Sequence, residues 1–384
     1  MSSPDLTDAE RQAVLAVLNT PMLSMGPRIE AFEQAVKDFS GAKHAIGVNS
    51  GTAGLHLCVR SAGIQAGDLV ITTPFSFVAS ANVLLYENAI PVFVDVDPLT
   101  GNIDPALVAS AFRDLNGSAA ERAWWLPRKG AEQARSVKAV LAVDVFGQPA
   151  DMDALRESVQ HSGLTMIEDS CEALGAEYKH RPAGTLGDMG VFAFYPNKQI
   201  TTGEGGMIIT NDDRAAQMMR ALRNQGRAPG DTWLQHTYLG YNYRLDEMSA
   251  ALGEVQMRRL PELLEARAQV AGWYQERLAE IAGVEMPQLA QETTRVSWFV
   301  YVIRLAKGID REAVAAKLGI LGIPVRPYFL PIHLQPYLVE RFGYQAGDFP
   351  ISENLGARGL ALPFSGKMSE AQVETVCRTL QSVL

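Results

Sequence analysis

The chain has 384 residues, of which 47% are hydrophobic and 20% are charged, and its formal net charge is -9. This composition is typical of a soluble globular protein, the length favours two domains, and no apolar run is long enough to cross a bilayer. The acidic balance, 34 Lys plus Arg against 43 Asp plus Glu, argues against nonspecific binding to nucleic acid or to an anionic membrane.

The N-terminal segment is predicted to begin a folded, cytoplasmic protein. Thr7 and Glu10 have capping-box spacing ahead of an amphipathic pattern, and no basic region followed by an apolar core marks a secretory signal. Cys58, Cys171 and Cys377 are odd in number and lack metal-ligand spacing. We therefore expect neither a disulfide framework nor a bound metal.

Between residues 43 and 210, short apolar or β-branched runs alternate with helical patterns. The runs are HAIGV, LVITT, PVFVDV, AVLAVDV, LTMIEDS, VFAFY and GMIIT. This alternation predicts an α/β domain with a mostly parallel sheet that helices cover on both faces. Ligands of such sheets bind at the carboxyl ends of the strands, where the unusual motifs of this chain fall.

A polar excursion, NGSAAERAWWLPRKGAEQARS at residues 116–136, interrupts this alternation. We expect it on the domain surface, where it either lines the site of a substrate, the acceptor of the reaction inferred below, or only covers the domain. The Trp124 and Trp125 pair is predicted to be a local hydrophobic anchor, with a substrate or partner patch as the alternative.

After Asn242 the pattern becomes helical, and Pro261 marks a break or a kink in it. SWFVYVIRL, GIPVRPYFL and a final helical stretch follow. We therefore divide the chain into a large domain, residues 1–255, and a smaller α/β domain, residues 256–384.

Four features follow predicted strands. Ser50, Gly51 and Thr52 stand before a helix, where backbone N–H groups and the helix dipole favour a phosphate, although taken alone the tripeptide is better explained by helix capping. Phe77 is either a core residue or a flat face for a ring. Asp169 is either a helix cap or an acid that keeps a heterocyclic nitrogen protonated.

Lys198 is either a solvated strand end or an amine held for chemistry. A phosphate site, an aromatic face, a buried acid and a lysine together describe pyridoxal phosphate, whose aldehyde needs an amine and whose ring nitrogen needs an acid. Lys198 is thus predicted to anchor this cofactor and, once freed, to carry a proton between the donor's α-carbon and the cofactor.

The sequence resembles the sugar aminotransferases of the DegT/DnrJ/EryC1/StrS type, within the fold-type I pyridoxal phosphate enzymes. The most specific segments are NSGTAGL, TPFSFVASAN, FGQPADMDAL, IEDSCEALGAEYKHRPAGTLGD, FYPNKQITTGEGG and GYNYRLDEMSAALG. The resemblance implies a large domain with a mostly parallel, mixed seven-stranded sheet and a smaller C-terminal α/β domain. It also implies a homodimer whose active sites are shared between subunits.

The resemblance implies roles for individual residues. Those expected to bind the cofactor are Gly51, Thr52, Ala53, Phe77, Asp169, Glu172 and Lys198, with Asn242 of the partner subunit. Thr52 and Ala53 would contact the phosphate, and Phe77 would stack on the ring. Tyr328 and His333, in RPYFLPIHLQPY, would face the sugar nucleotide, with a hydrogen-bonded structural histidine as the alternative for His333.

Two positions depart from the family pattern. Many relatives carry a serine that bonds the phosphate where this chain has Ala193, and Gln or His near the ring oxygen where it has Glu172. An acid next to that oxygen must be protonated or paired, because like charges repel. The branch of the family that deoxygenates sugars replaces the lysine with histidine, so Lys198 favours transamination.

These observations predict an aminotransferase that moves an amino group from L-glutamate to a nucleotide-linked keto sugar, a 4-keto-6-deoxy sugar by the form of the motifs. The alternative is a pyridoxal phosphate transaminase that acts on a non-sugar ketone or aldehyde. A regulator that keeps the pocket without turnover is a third reading, which intact Lys198 and Asp169 disfavour.

Overall fold

The computed structural model describes residues 3–160 and 162–384. The elements of the first part of the chain are α1 (Asp8–Leu18), α2 (Pro27–Ser40), β1 (His44–Val48), α3 (Gly51–Ser61), β2 (Leu69–Thr72), α4 (Ala79–Tyr86), β3 (Ile90–Phe93), α5 (Pro105–Leu115), α6 (Ala119–Trp125), β4 (Val137–Val143), α7 (Met152–Ser158), β5 (Thr165–Asp169), β6 (Glu177–Tyr178), β7 (Arg181–Pro182), β8 (Met189–Ala193), β9 (Gly206–Thr210) and α8 (Asp213–Arg223). The predicted capping box of Thr7 and Glu10 is present at the start of α1.

The large domain is built on a seven-stranded sheet in the order β1-β9-β8-β5-β4-β2-β3. Only β9 is antiparallel to its neighbours, β1 and β8; the other pairs are parallel. All seven runs predicted as strands lie in this sheet, which confirms the mostly parallel, mixed sheet. The carboxyl ends of six strands therefore meet at one edge, and β9 begins there.

Successive strand residues face two separate cores, because side chains alternate between the faces of a sheet. Val70 packs with residues of α3 and α8 on one face. Leu69 and Ile71 pack with residues of α5 and α7 on the other. Helices thus cover both faces, and the strands are apolar at nearly every position, as in parallel sheets generally.

The rest of the chain begins with a long helix and forms a second, smaller sheet. Its elements are α9 (Glu247–Leu278), β10 (Val284–Glu285), β11 (Thr293–Arg295), β12 (Tyr301–Leu305), α10 (Arg311–Ile320), β13 (Arg326–Pro327), α11 (Pro336–Phe342), α12 (Pro350–Arg358), β14 (Gly359–Leu362) and α13 (Glu370–Val383). The antiparallel sheet has the order β10-β12-β14-β13, and β11 instead pairs with β6. Among the described residues, no helix combines the length and the apolar character that crossing a membrane would require.

The division proposed at residues 255 and 256 falls inside α9, which runs 32 residues and continues through Pro261 without a break. The proline at this position removes one donor but does not end the helix. The second half of α9 packs into the small core with β12, β14 and α13. This helix therefore belongs to both domains.

Part of the C-terminal half packs on the large domain instead of on the small core. Ile332, Leu338 and Phe342 are buried in the core beneath α5 and α7, and the N–H of Ile332 donates to the carbonyl of Pro74 at 2.7 Å. The segment 332–344 is therefore attached to the strand ends of the large sheet.

The excursion at residues 116–136 lies on the surface, as expected, and contains α6. Its two tryptophans differ: Trp125 packs on the core and donates its indole N–H to Asp114 at 3.0 Å, whereas Trp124 is 82% exposed. Only Trp125 is thus the predicted anchor. Arg128 forms a bidentate pair with Asp348, so the excursion holds the segment after α11.

Candidate active site

A cavity of about 600 Å³ opens at the carboxyl edge of the large sheet, between that edge and residues 327–330. Its lining includes Ser50, Gly51, Thr52, Ser76, Phe77, Asp169, Cys171, Glu172, Ala193, Tyr195, Asn197, Lys198, Glu204, Phe299, Pro327, Tyr328, Phe329 and Leu330. The strand ends thus bring together most of the side chains that the sequence singled out.

The N-terminus of α3 provides an anion site at one end of the cavity. Ser50 caps the helix by accepting the N–H of Ala53 at 3.0 Å, whereas the N–H groups of Gly51 and Thr52 find no acceptor in the described parts of the chain. A Cβ on Gly51 would lie 2.7 Å from Cβ of Ala193 and 2.9 Å from Sγ of Cys171, so only glycine fits. Free N–H groups and a helix dipole favour a phosphate there.

Asp169 ends β5 and is 5% exposed. Its carboxylate accepts the hydroxyl of Ser80 at 2.8 Å and the N–H of Cys171 at 3.2 Å. A carboxylate has about four lone-pair sites, so these two bonds leave capacity for another donor. These bonds therefore fix the orientation of the Asp169 carboxylate, which can still accept a hydrogen bond from a group in the cavity.

Lys198 lies in the segment between β8 and β9, and its side chain is 13% exposed. Its Nζ is 3.5 Å from Oε1 of Glu172 and 3.9 Å from the centre of the Phe299 ring. Glu172 also accepts the N–H of Phe146 at 3.0 Å. Burial raises the pKa of Glu172, and the nearby Lys198 opposes this shift. The lysine is thus a largely shielded, paired amine and not a solvated strand end.

Arg267, on α9, holds the backbone of the lysine segment, which the sequence did not suggest. Its guanidinium donates to the carbonyl oxygens of Lys198 at 2.7 Å and Trp298 at 3.1 Å, with longer contacts to those of Asn197 and Phe299. Burial lowers the pKa of Arg267 to about 10, so it stays cationic at neutral pH. In the sequence, Arg267 is one arginine among several on an amphipathic helix, so no pattern indicates that it bonds the backbone of the lysine segment.

Two of the expected cofactor residues lie outside the cavity lining of their own chain, and the role of Asn242, expected from the partner subunit, stays a prediction. Ala53 is buried, and its N–H is already donated to Ser50. Asn242 is exposed and lies outside the cavity lining of its own chain, where its carbonyl accepts from Asn49 at 3.3 Å. Phe77 lines the cavity with 64% of its surface exposed, so its ring is available for stacking.

Tyr328 and His333 are separated by the structure. Tyr328 lines the cavity, and burial next to Glu172 raises its pKa to about 12. His333 is fully buried outside the lining and bonds Oε1 of Glu353 at 3.0 Å, because the segment from Ile332 onward packs on the large domain. The structure therefore corrects the expectation that His333 faces the nucleotide and supports its structural alternative.

A second cavity of about 380 Å³ adjoins the first and shares Tyr195, Phe299 and Tyr328 with it. Arg326 lines this cavity and is exposed. Within the described residues the single hydrogen bond of its side chain is a long one, 3.4 Å, to the carbonyl of Val325. Its guanidinium is thus available to an anionic ligand, which the sequence motif RPYF did not by itself reveal.

These residues fit pyridoxal phosphate. The unpaired N–H groups of Gly51 and Thr52 suit a phosphate, and Asp169 keeps acceptor capacity for a ring nitrogen. Lys198 supplies the only side-chain amine in the described cavity lining. Ala193, next to Gly51, leaves no hydroxyl at that point.

Comparison with known proteins agrees with this geometry. The model of the DegT/DnrJ/EryC1/StrS aminotransferase family matches residues 4–381. GDP-perosamine synthase of Caulobacter vibrioides is 39% identical over 388 residues, 100% of this chain and 98% of that protein. A UDP-N-acetyl-3-dehydro-alpha-D-glucosamine 3-aminotransferase of Acidithiobacillus ferrooxidans is 32% identical over 96% of this chain and 92% of its own length.

Among solved structures, Helicobacter pylori PseC, an aminotransferase involved in the biosynthesis of pseudoaminic acid, superposes with a TM-score of 0.88 at 27% identity. The match covers 100% of this chain and 98% of that one. The chain therefore belongs to the DegT/DnrJ/EryC1/StrS aminotransferase family and is a pyridoxal-phosphate-dependent aminotransferase.

Proposed function

We propose that the protein transfers an amino group from L-glutamate to a nucleotide-linked 4-keto-6-deoxy sugar, as a step in amino-sugar or polysaccharide biosynthesis. The observation that carries the proposal is the convergence of a buried amine, an oriented acid and an anion-binding helix terminus on one cavity. The sugar nucleotide is supported by the names of the similar proteins described above.

The cofactor, when bound, supplies an aldehyde carbon that bonds to amines and a ring that withdraws electrons from the neighbouring carbon. Lys198 would hold it and, as a free amine, would take the proton from the donor's α-carbon and later give one to the acceptor's carbon. Asp169 holds a proton at the ring nitrogen, and Ser80 and the N–H of Cys171 keep that carboxylate oriented.

Arg326 supports an acceptor that carries a diphosphate. It lies in the cavity that adjoins the Lys198 site, and a guanidinium binds phosphate oxygens in a bidentate manner. Tyr328 lies between the two cavities and would contact the sugar. A ketone or aldehyde without a nucleotide would leave Arg326 without a ligand, which is why we place this alternative second.

We also propose a homodimer in which Asn242 of the partner subunit reaches the phosphate. Three apolar side chains close to Asn242 in the sequence are strongly exposed: Trp233 by 77%, Leu234 by 84% and Leu239 by 82%. Exposed apolar clusters of this kind are typical of protein interfaces. The free thiols of Cys58, Cys171 and Cys377 support a reducing compartment such as the cytoplasm.

The proposal is tested by the visible spectrum of the purified protein loaded with pyridoxal phosphate. We expect a yellow band that L-glutamate removes with release of 2-oxoglutarate. Keto sugars on GDP, UDP and dTDP, tested beside small ketones and aldehydes, should then restore the band. Restoration by the small carbonyl compounds alone would overturn the sugar assignment, and a band that no amino donor removes would overturn the transamination.

A further inference from the structure

Two side chains contact the lysine amine although neither is needed to bind the cofactor's phosphate or ring nitrogen. The Nζ of Lys198 lies 3.9 Å from the centre of the Phe299 ring and 3.5 Å from Oε1 of Glu172. Phe299 is 3% exposed, and its backbone is tied to that of Lys198 by the guanidinium of Arg267. The ring therefore has a fixed position relative to the amine.

We infer that Glu172 and the Phe299 ring form an ammonium site, which stabilises the amine of Lys198 in its protonated form when that amine is not bonded to the cofactor. The inference rests on the proposed role of Lys198 as the anchoring and proton-carrying residue. It assigns Glu172 to the lysine, and not to the ring oxygen that the residue at this position is expected to meet in relatives.

The ammonium site discriminates between the two protonation states of the amine. A ring face attracts a cation and a carboxylate pairs with one, whereas a neutral amine gains little from either group. Both interactions are strong here because the side chains of Lys198 and Glu172 are only 13% and 10% exposed.

Among the described residues, no other negatively charged group lies within ion-pair distance of the lysine amine. Burial raises the pKa of Tyr328 to about 12 and raises that of Cys171 well above its usual value, so both stay neutral near pH 7. Asp169 is a second carboxylate of the cavity, but it forms no ion pair with Lys198. In the described part of the chain, Glu172 is the carboxylate that forms an ion pair with Lys198.

This site favours the proton transfer that the lysine performs. When the free amine removes a proton from the donor's α-carbon, the C–H bond breaks, its electron pair stays with the carbon, and the amine becomes an ammonium group. Glu172 and Phe299 stabilise that product. The same ammonium group then returns the proton to another carbon and becomes a neutral amine again.

The inference is tested on the full-length chain freed of cofactor, by cyanate modification of Lys198 measured by mass spectrometry between pH 7 and pH 11. Cyanate reacts with the neutral amine only. At pH 7 we expect modification to be about 10-fold faster in Glu172→Gln and about 3-fold faster in Phe299→Leu than in the unchanged protein. As the pH approaches 11 and the neutral fraction of each amine rises, the ratio of each variant's rate to that of the unchanged protein should fall toward one.

Glu204→Gln is the matched control, because Glu204 lines the same cavity and forms no ion pair within the described residues. It removes an equal charge, and its rate should stay within 2-fold of the unchanged protein. Equal rates in Glu172→Gln and Glu204→Gln would overturn the inference. So would a ratio between variant and unchanged protein that stays constant from pH 7 to pH 11, because that would report access to the lysine. No turnover is involved, so failure here is distinct from failure of the proposed aminotransferase activity.

Discussion

The cavity has two sides that are held in place by different interactions. The large-domain side, Ser50–Thr52 with Asp169 and Lys198, rests on buried strand ends and on hydrogen bonds to backbone groups. The small-domain side, residues 326–330, begins with a two-residue edge strand, β13, and Leu330 is 60% exposed. Under the proposed function, the first side carries the chemistry and the second selects the acceptor.

Replacing Lys198 should have the largest effect on the large-domain side. Lys198→Ala removes both the anchoring amine and the proton carrier, so we expect kcat/KM to fall by about 10⁴-fold or more. Steady-state turnover and the visible spectrum measure this loss. Lys179→Ala, at an exposed lysine paired with Asp153, is the control. Retained turnover in Lys198→Ala would contradict the proposed role of Lys198 and, with it, the proposed function.

Asp169→Asn should have the next largest effect. The amide can still accept from Ser80, but it has no charge to keep the ring nitrogen protonated, so we expect kcat to fall by about 10²-fold or more while cofactor remains bound. Single-turnover reaction with glutamate measures this step. Asp213→Asn, at an exposed aspartate, serves as control. Near-normal rates would contradict the role of the acid.

Arg326→Met tests the small-domain side. Loss of one charge-assisted phosphate contact should raise KM for the nucleotide sugar by about 10-fold and leave the glutamate half-reaction unchanged. Arg378→Met, 71% exposed on α13, is the matched control. An equal change in both half-reactions would mean that the small-domain side does not act on the acceptor alone, contrary to the proposal.

His333→Gln and Tyr328→Phe test which of these two residues contacts the acceptor on the small-domain side. Tyr328→Phe should raise the acceptor KM a few-fold, about the value of one hydrogen bond. His333→Gln should leave that KM unchanged and lower the free energy of unfolding by about 1–3 kcal/mol, because it disturbs the buried bond to Glu353. Denaturant unfolding and kinetics measure both. A changed KM in His333→Gln would return the histidine to the acceptor site.

Glu172→Gln should have a small, pH-dependent effect on stability. Burial raises the pKa of Glu172 in the folded chain above its ordinary 4.5, so the folded state binds the proton more tightly than the unfolded state. As the pH rises from the pKa of the unfolded state to that of the folded state, the unchanged protein should therefore lose stability relative to Glu172→Gln. The loss should be about 1.4 kcal/mol for each unit between the two pKa values. Thermal unfolding at pH 5 and pH 8 checks the sign.

The large-domain side was accessible to sequence reasoning because local patterns determine it. Apolar runs set the strands, a parallel sheet collects their carboxyl ends, and so Asp169 and Lys198 meet although 29 positions separate them. The motif near Ser50 could be read as a helix terminus for the same reason.

Sequence reasoning was less successful for residues whose positions depend on packing between distant parts of the chain. His333 follows Tyr328 by five positions, yet the apolar neighbours of His333 draw it into the large-domain core. Arg267 and Phe299 gain their roles only when α9 and the start of β12 meet the lysine segment. The cap that uses the N–H of Ala53 depends on side-chain geometry, which the sequence pattern does not give, and its contact with the phosphate stays a prediction.

Arg267 has a mechanical consequence for this enzyme. One buried guanidinium bonds the carbonyls of both Lys198 and Trp298, so it joins the lysine segment of the large domain to the chain that enters the small domain. A rotation of the two domains would therefore have to pivot beside Lys198 or break these bonds.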